Sequence, residues 1–333
     1  MQYELAPETF YVEEIAKPML KEKGRYFYYL MMKKGISHKK AEDSFDEKVY
    51  FSGRKDKNAT TVQWVCSEQE LEEANEEDFG LRFMGKCDEK LQIGAHKQNF
   101  FKVLVELSGD EMKKIRRFRQ KDEKVCNYFG EQRFDERVSE FAGLVGKGNY
   151  ENAMKFFLTE ESKFDSEKST GMKGLINEKW GRWKEIRESE LIKGTGKEKL
   201  FWFLENNEGK FKEAFGWAER KSLAMMLRAA QSLRFNEMLD KMARERKPKN
   251  FFAEVDAKER ALAASNAFTR ELTVEANEFE KETGLGNFER KSFFIAEGLK
   301  LRDKEGLQEL SFFLPKGSYA TVFLLFLKEW LGK

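Results

Sequence analysis

Apolar and polar positions change their spacing twice along the chain. Phe10–Ile15 alternates as a half-buried strand does, and residues 26–32 form an aromatic-rich run of the same kind. Val49–Phe51 and residues 60–66 are two short strand-like runs. They are joined by Ser52-Gly53-Arg54-Lys55-Asp56-Lys57-Asn58, a segment dense in turn formers. Residues 91–93 and 100–107 read as further strands, separated by residues 94–99. Ser108 followed three residues later by Glu111 has the spacing of a capping box and predicts a helix running to about Lys124, with Ile115 and Phe118 facing inward.

From about Tyr150 to Gly298 the apolar spacing turns helical. Residues 149–158 and 197–204 are short helical candidates, and residues 219–247 the longest. There Leu223, Met226, Leu227 and Ala230 keep one 3.6-residue phase, and Phe235, Met238, Leu239 and Met242 a second. Residues 253–283 predict one or two more helices, with Gly284 and Gly286 as stop signals. The tail reverts to the spacing of the first third. Residues 309–314 read as a strand, 315–318 as a loop, and Ser318 as the cap of a closing apolar helix through Trp330. This order predicts an α+β domain in two parts, residues 1–150 and 299–333, split by a helix-rich insertion over 151–298, whose helix 219–245 is placed to pack on the first domain.

Composition removes several function classes. With 31 Phe among 333 residues and 40% hydrophobic residues, the chain can build a real core. Lys and Arg total 61 against 59 Asp and Glu, so a case for nucleic acid has to come from local charge. Cys66, Cys87 and Cys126 form no CxxC, and His38 and His96 are the only histidines; disulfide frameworks, cysteine zinc sites and HExxH proteases are not expected. The opening MQYELAPETF has neither a basic n-region nor an apolar stretch, and apolar runs such as residues 322–327 fall far below the ~18 residues of a membrane span. A soluble cytoplasmic protein is expected. Gly194-Thr195-Gly196-Lys197 imitates the end of a phosphate loop, but Leu191 and Glu198 stand where that motif needs Gly and Ser or Thr, so a solvated turn is the better reading.

Local chemistry concentrates in three places. Lys113, Lys114, Arg116, Arg117, Arg119, Lys121 and Lys124 give the helix after Ser108 the strongest positive field in the chain, suited either to a phosphate backbone or to an ordinary solvated face. Asp56 sits among Arg54, Lys55 and Lys57, cations that favour its ionised form; an ionised, positioned carboxylate is a competent nucleophile, although an Asp near an Asn in a turn also serves the turn itself. Asn127-Tyr128-Phe129-Gly130-Glu131-Gln132-Arg133-Phe134 offers an amide, rings and an Arg, a set that suits an extruded base or a polar-aromatic loop packed on a core.

Six segments in order resemble the TruD family of tRNA pseudouridine synthases. Gly53-Arg54-Lys55-Asp56-Lys57-Asn58-Ala59-Thr60-Thr61-Val62-Gln63 is similar to its GxKDxxAxTxQ signature, and residues 127–134 to its NYFGxQRFG motif. Residues 313–321 resemble LPxGS(F/Y)AT, residues 7–15 PEDFxVEEI, residues 91–101 LxLGxxKxNxF, and residues 229–236 the AxQSxxFN helix of the archaeal and eukaryotic branch. The resemblance implies a pseudouridine synthase α+β domain with a mixed, mainly antiparallel sheet, interrupted by a helix-rich insertion. It implies isomerisation of uridine in tRNA, typically at position thirteen, by one Asp with no cofactor and no metal. The motif places that Asp at Asp56. Phe10, Asn127, Phe129 and Tyr319 match positions of the uracil pocket, and Arg54, Lys55, Lys316 and the basic helix are the expected RNA-facing cations. The likeness departs at Glu4, where the family carries a Lys that pairs with its Asp; here Arg54, Lys55 or Lys316 stand in as candidate cations. Thr9 and Asp135 replace the family's Asp and Gly. A synthase-like RNA-binding protein without catalysis is the alternative reading that Glu4 supports, and a helical interaction protein without RNA a third. Nothing in the sequence demands a dimer, so a monomer is expected.

Overall fold

The alternating runs form strands. The computed structural model describes residues 1–118, 123–130, 134, 136–161, 165–245, 271–304 and 306–332. Its strands are β1 (Gln2–Tyr3), β2 (Phe10–Ile15), β3 (Tyr26–Lys34), β4 (Val49–Phe51), β5 (Thr60–Ser67), β6 (Ala74–Asn75), β7 (Phe79–Cys87), β8 (Gln98–Glu106), β9 (Val125–Cys126), β10 (Glu271–Val274), β11 (Phe288–Lys291), β12 (Phe293–Phe294), β13 (Glu297–Lys304) and β14 (Leu307–Pro315). Contacts divide the described chain into two units: residues 1–127 with 293–332, and residues 128–245 with 271–292.

The first unit is built on a ten-stranded sheet in the order β13-β14-β8-β2-β5-β3-β7-β6, with β1 added to β8 and β4 to β5. All its pairs are antiparallel except β2 with β5, so the fold is α+β with a mainly antiparallel sheet. Cross-strand partners share a face. Lys33 opposes Thr61 and Met31 opposes Gln63; Val12 opposes Thr61 and Phe101; Asn99 opposes Glu14 and Leu314. At one end of this face Phe10, Val12, Phe101, Val103, Leu310 and Phe312 pack with Ile115 and Phe118 of the basic-helix segment and with Phe323, Leu324 and Leu327 of the closing helix Ala320–Leu331. At the other end Tyr29, Met31, Val65 and Leu81 pack with Ala41 of helix His38–Glu42. Between the two apolar clusters the face is polar: Glu14, Lys33, Thr61, Gln63 and Asn99 are all buried there.

The second unit is helical. Its helices Glu136–Gly146, Tyr150–Thr159, Glu167–Glu178, Trp183–Arg187, Glu198–Asn206, Phe211–Ala214, Arg220–Glu245 and Glu278–Glu282 enclose a core of Phe141, Met154, Ile176, Phe201, Phe215, Leu223, Leu227 and Phe279. The units part at Asn127/Tyr128 and Ser292/Phe293, whereas the change of pattern in the sequence suggested 150 and 298; Glu136–Gly146 and Arg220–Glu245 both group with the helical unit.

Several local expectations need correction. Residues 91–93 form a turn, not a strand: Ala95 N–H donates to the Gln92 carbonyl, and Gly94 sits at φ +78°. Within residues 271–291 the chain makes the β10–β11 hairpin around helix Glu278–Glu282, where a helix alone was expected; the expected helix over 253–270 lies outside the described residues. The closing helix has Tyr319 as its N-cap with no side-chain cap, so Ser318 does not cap it. The capping box of Ser108 and Glu111 is present, but its helix is Gly109–Arg117 and ends at an extended Phe118 instead of running to about Lys124. Gly194 and Gly196 lie in a left-handed turn whose Gly194 N–H donates to Glu198. No helix among the described residues is long and apolar enough to cross a membrane.

Candidate active site

Sheet register forces the Asp56 loop out of the plane. β2 covers residues 60–62 of β5, and β4 covers residues 65–67 along the same edge. Running antiparallel to β5, the chain leaving β4 meets the end of β2 and must rise over a face of the sheet. It rises over the polar stretch just described. Ser52 Oγ donates to Glu14 Oε2 at 2.6 Å, and Lys55 Nζ donates to Glu14 Oε1 at 2.6 Å. Trp64 N–H adds a third bond to the same carboxylate at 3.2 Å. His96 Nδ1 lies 3.1 Å from Ser52 Oγ and 3.8 Å from Glu14 Oε1. Since the Ser52 proton goes to Glu14, Nδ1–H is the tautomer that completes the chain. Burial, with the Lys55 charge adding to it, pushes the His96 imidazole below its usual value, against the opposing pull of Glu14.

Asp56 follows directly and is half-buried, open to solvent on a loop. Its Oδ1 accepts the Asn58 N–H at 2.9 Å, an Asx turn that orients the carboxylate. Its main-chain carbonyl accepts from Lys33 Nζ at 2.7 Å, and the same ammonium donates to the Ile36 carbonyl at 2.8 Å. Lys33 is 0% exposed. Burial drives its pKa down to about 8, with the Asp56 charge opposing the fall and the Lys55 charge adding to it.

The other end of the loop is tied to the C-terminal turn. Gly94 N–H donates to the Ser52 carbonyl at 2.6 Å, and the Gly94 carbonyl accepts from Lys316 Nζ at 2.7 Å. Lys316 N–H donates to the Lys97 carbonyl at 3.2 Å. Gly94 sits at φ +78°, a conformation that strains any residue with a side chain, so the turn favours glycine there. Thus the Asp56 loop, the 94–97 turn and the Lys316–Tyr319 segment meet in the first unit, with Tyr319 half-buried at the start of the closing helix.

The remaining expected residues fall in different settings. Phe10 is a core residue on β2, its ring 6.1 Å from Phe101. Asn127 is buried at the end of the first unit, after β9, which pairs with β12. Phe129 is buried in the helical unit. There Asn236 Oδ1 accepts its N–H at 2.9 Å, Asn236 Nδ2 donates to its carbonyl at 3.0 Å, and the Arg290 guanidinium lies 4.0 Å over its ring. Arg54 and Lys316 are exposed, as are Lys113, Lys114, Arg116 and Arg117 on helix Gly109–Arg117. Lys114 also donates to the Leu331 carbonyl at the end of the closing helix. Arg119, Lys121, Gln132 and Arg133 lie outside the described residues. Lys55 differs from the expectation of an RNA-facing cation: its side chain is 8% exposed and committed to Glu14.

Sequence reasoning overlooked Lys33. A Lys after an apolar run reads as the solvated end of a strand, and only the Lys33–Thr61 register, with a loop crossing above it, shows otherwise. It also gave no role to Ser52 or His96. Two shallow grooves of about 370 and 230 Å³ run beside Pro7 and Glu8, and Asp56 lines neither. Among the described residues no cluster of His, Cys, Asp and Glu is arranged to hold a metal.

Comparisons with known proteins converge. The family model for tRNA pseudouridine synthase D (TruD) matches residues 4–281. The tRNA pseudouridine synthase D of Aquifex aeolicus is 30% identical over 96% of this chain and 95% of its own length. The probable tRNA pseudouridine synthase D 1 of Methanococcus maripaludis is 26% identical over 97% of this chain and 98% of its own. The crystal structure of a Methanosarcina mazei protein assigned as tRNA pseudouridine synthase D superposes with a TM-score of 0.62 at 17% identity, covering 99% of this chain and 94% of that one, and so shares its fold. With a family model spanning most of its length, the chain belongs to the tRNA pseudouridine synthase D (TruD) family.

Proposed function

We propose that this protein is a tRNA pseudouridine synthase that isomerises a target uridine, at position thirteen by likeness to its family, with Asp56 as nucleophile. The observation that carries the reading is the setting of Asp56: a solvent-open carboxylate, oriented by Asn58, on a loop fastened at Ser52, Lys55 and its own carbonyl. A nucleophile gains most when its attack geometry is set beforehand. The carboxylate attacks the target nucleoside and the N-glycosidic bond breaks; the freed uracil turns, and its carbon-5 bonds to the ribose as the bond to Asp56 breaks, carbon-5 losing a proton and N1 gaining one. A base in a helical stack is out of reach, so the uridine is swung out before reaction. Tyr319, Asn127 and Phe129 are the proposed uracil contacts. Arg54, Lys316, Lys113, Lys114, Arg116 and Arg117 meet the phosphates, so affinity falls as salt rises. The protein acts as a monomer, with neither metal nor cofactor.

The test incubates the protein with unmodified tRNA transcripts and maps pseudouridine, with Asp56→Ala and Asp56→Asn alongside. Wild type forms the product, and both variants bind tRNA without forming it. Product from Asp56→Ala, or none from wild type, overturns the reading.

A further inference from the structure

We propose that Lys33 is the buried positioning cation of Asp56: its ammonium holds residue 56 by the main-chain carbonyl and keeps a positive charge beside the carboxylate that RNA can neither screen nor draw away. The inference rests on the proposed role of Asp56 and adds a residue to that site.

The geometry is specific. Lys33 Nζ donates to the carbonyls of Asp56 and Ile36, at 2.7 and 2.8 Å, and its side chain is 0% exposed. Carbonyl dipoles satisfy N–H groups but do not cancel a charge, and a buried ammonium is expensive unless an anion compensates it. Asp56 is the acidic group whose field acts on it. The other charged and titratable groups facing Lys33 are Lys55 on the same loop, itself paired with Glu14, and His38 at the start of the neighbouring helix, held below its usual pKa by burial. An apolar side chain at position 33 would fit the face shared with Met31 at lower electrostatic cost.

A bound tRNA explains why burial matters. Its phosphates surround the site with negative charge and compete for every exposed cation, among them Arg54 and Lys316. An ammonium sealed under the loop stays with Asp56 whatever the RNA does. The cation is present below about pH 8 and lost above it, so the chemical step declines on the alkaline side.

The experiment measures single-turnover pseudouridine formation on an unmodified tRNA transcript, with enzyme in excess, from pH 6 to 9. Wild type, Lys33→Met and Asp56→Ala are compared, and tRNA binding is measured in parallel. The expected result is a wild-type rate that falls with a midpoint near pH 8. Lys33→Met should react ~100-fold slower at pH 7, without that alkaline limb, with tRNA affinity within about threefold of wild type. A Lys33→Met rate within threefold of wild type at every pH, or a wild-type rate flat to pH 9, overturns the inference. If circular dichroism shows that Lys33→Met does not fold, the wild-type profile alone decides. Failure of this inference with Asp56→Ala inactive leaves the Asp56 reading standing; a silent wild type removes both.

Discussion

Lys55 and Glu14 form an ion pair 2.6 Å long between side chains that are 8% and 0% exposed, joining the Asp56 loop to β2 across 41 residues of chain. Removing one member of a buried pair strands the other charge, which costs about 3–5 kcal/mol. Glu14 carries further bonds from Ser52 and Trp64, so its substitution also loosens the start of the loop. Glu14→Gln and Lys55→Met should each lower the unfolding free energy by roughly 3 kcal/mol, read from urea midpoints. The double variant should lose clearly less than the sum of the two. Additive losses would mean that the pair has no coupling of its own.

Stability should peak at unusually alkaline pH. Lys33 binds its proton less tightly folded, at about 8, than unfolded, at 10.5. Between those values the unfolded chain holds more protons, so stability rises with pH. The shift sets an upper bound of roughly 3 kcal/mol on the rise, at about 1.4 kcal/mol per unit. On the acid side His38 and His96, both depressed by burial, are neutral when folded, so stability falls as pH drops below 6.5 toward their folded values. Above 10, Tyr11, Tyr28 and Tyr29, raised by burial, hold their protons when folded and lose them more readily when unfolded, which lowers stability again. Urea melts at pH 5.5, 7.5 and 9.5 should therefore rise in that order, and the last step should vanish in Lys33→Met. A maximum at pH 7 would contradict the buried ammonium.

The polar band beside Lys33 is itself a stability reserve. Thr61 Oγ1, both amide atoms of Gln63 and Asn99 Oδ1 are buried without a hydrogen-bond partner among the described residues. Each unpaired group costs about 1–3 kcal/mol, and an apolar side chain of similar shape avoids that cost. Gln63→Met should raise the unfolding free energy by about 1 kcal/mol, seen as an increase of a few degrees in Tm. A drop in Tm would show that the amide is paired in solution.

Much of this arrangement was legible in the chain, for identifiable reasons. Phe10–Ile15 alternates because one face of the strand is buried, and periodicity reports that directly. Ser108 and Glu111 are local in sequence, so their capping box could be read off. Family motifs brought Asp56 and Asn236 to notice. Charge could not be read in the same way. Lys55 and Lys33 look alike in composition, as basic residues near turns, yet one closes a buried ion pair and the other grips a carbonyl. Partners 41 and 23 residues away decide each outcome. The 91–93 turn was misread because Leu91 and Ile93 alternate with Gln92, while the hydrogen bond from Gly94 to Ser52, which bends the chain, is long-range.

Asn236 offers a test of the proposed role of Phe129. Its amide satisfies both main-chain groups of Phe129, and Phe129 in turn packs against Phe235 and Phe288, with ring centroids 5.7 and 5.6 Å away, beneath Arg290. No other side chain type reproduces one acceptor and one donor at that spacing except Gln, which is longer by a methylene. Asn236→Ala removes both of these buried hydrogen bonds, a loss of about 2–3 kcal/mol. Asn236→Asp keeps the acceptor for the N–H but sets a carboxylate oxygen against the Phe129 carbonyl, so it should fall between wild type and Ala. If Phe129 contacts the uracil, as proposed, both variants should also lower kcat/KM for tRNA under conditions where each remains folded, with Ala lower than Asp. Stability changes without any change in kcat/KM would confine Asn236 and Phe129 to the core of the helical unit and remove Phe129 from the uracil pocket.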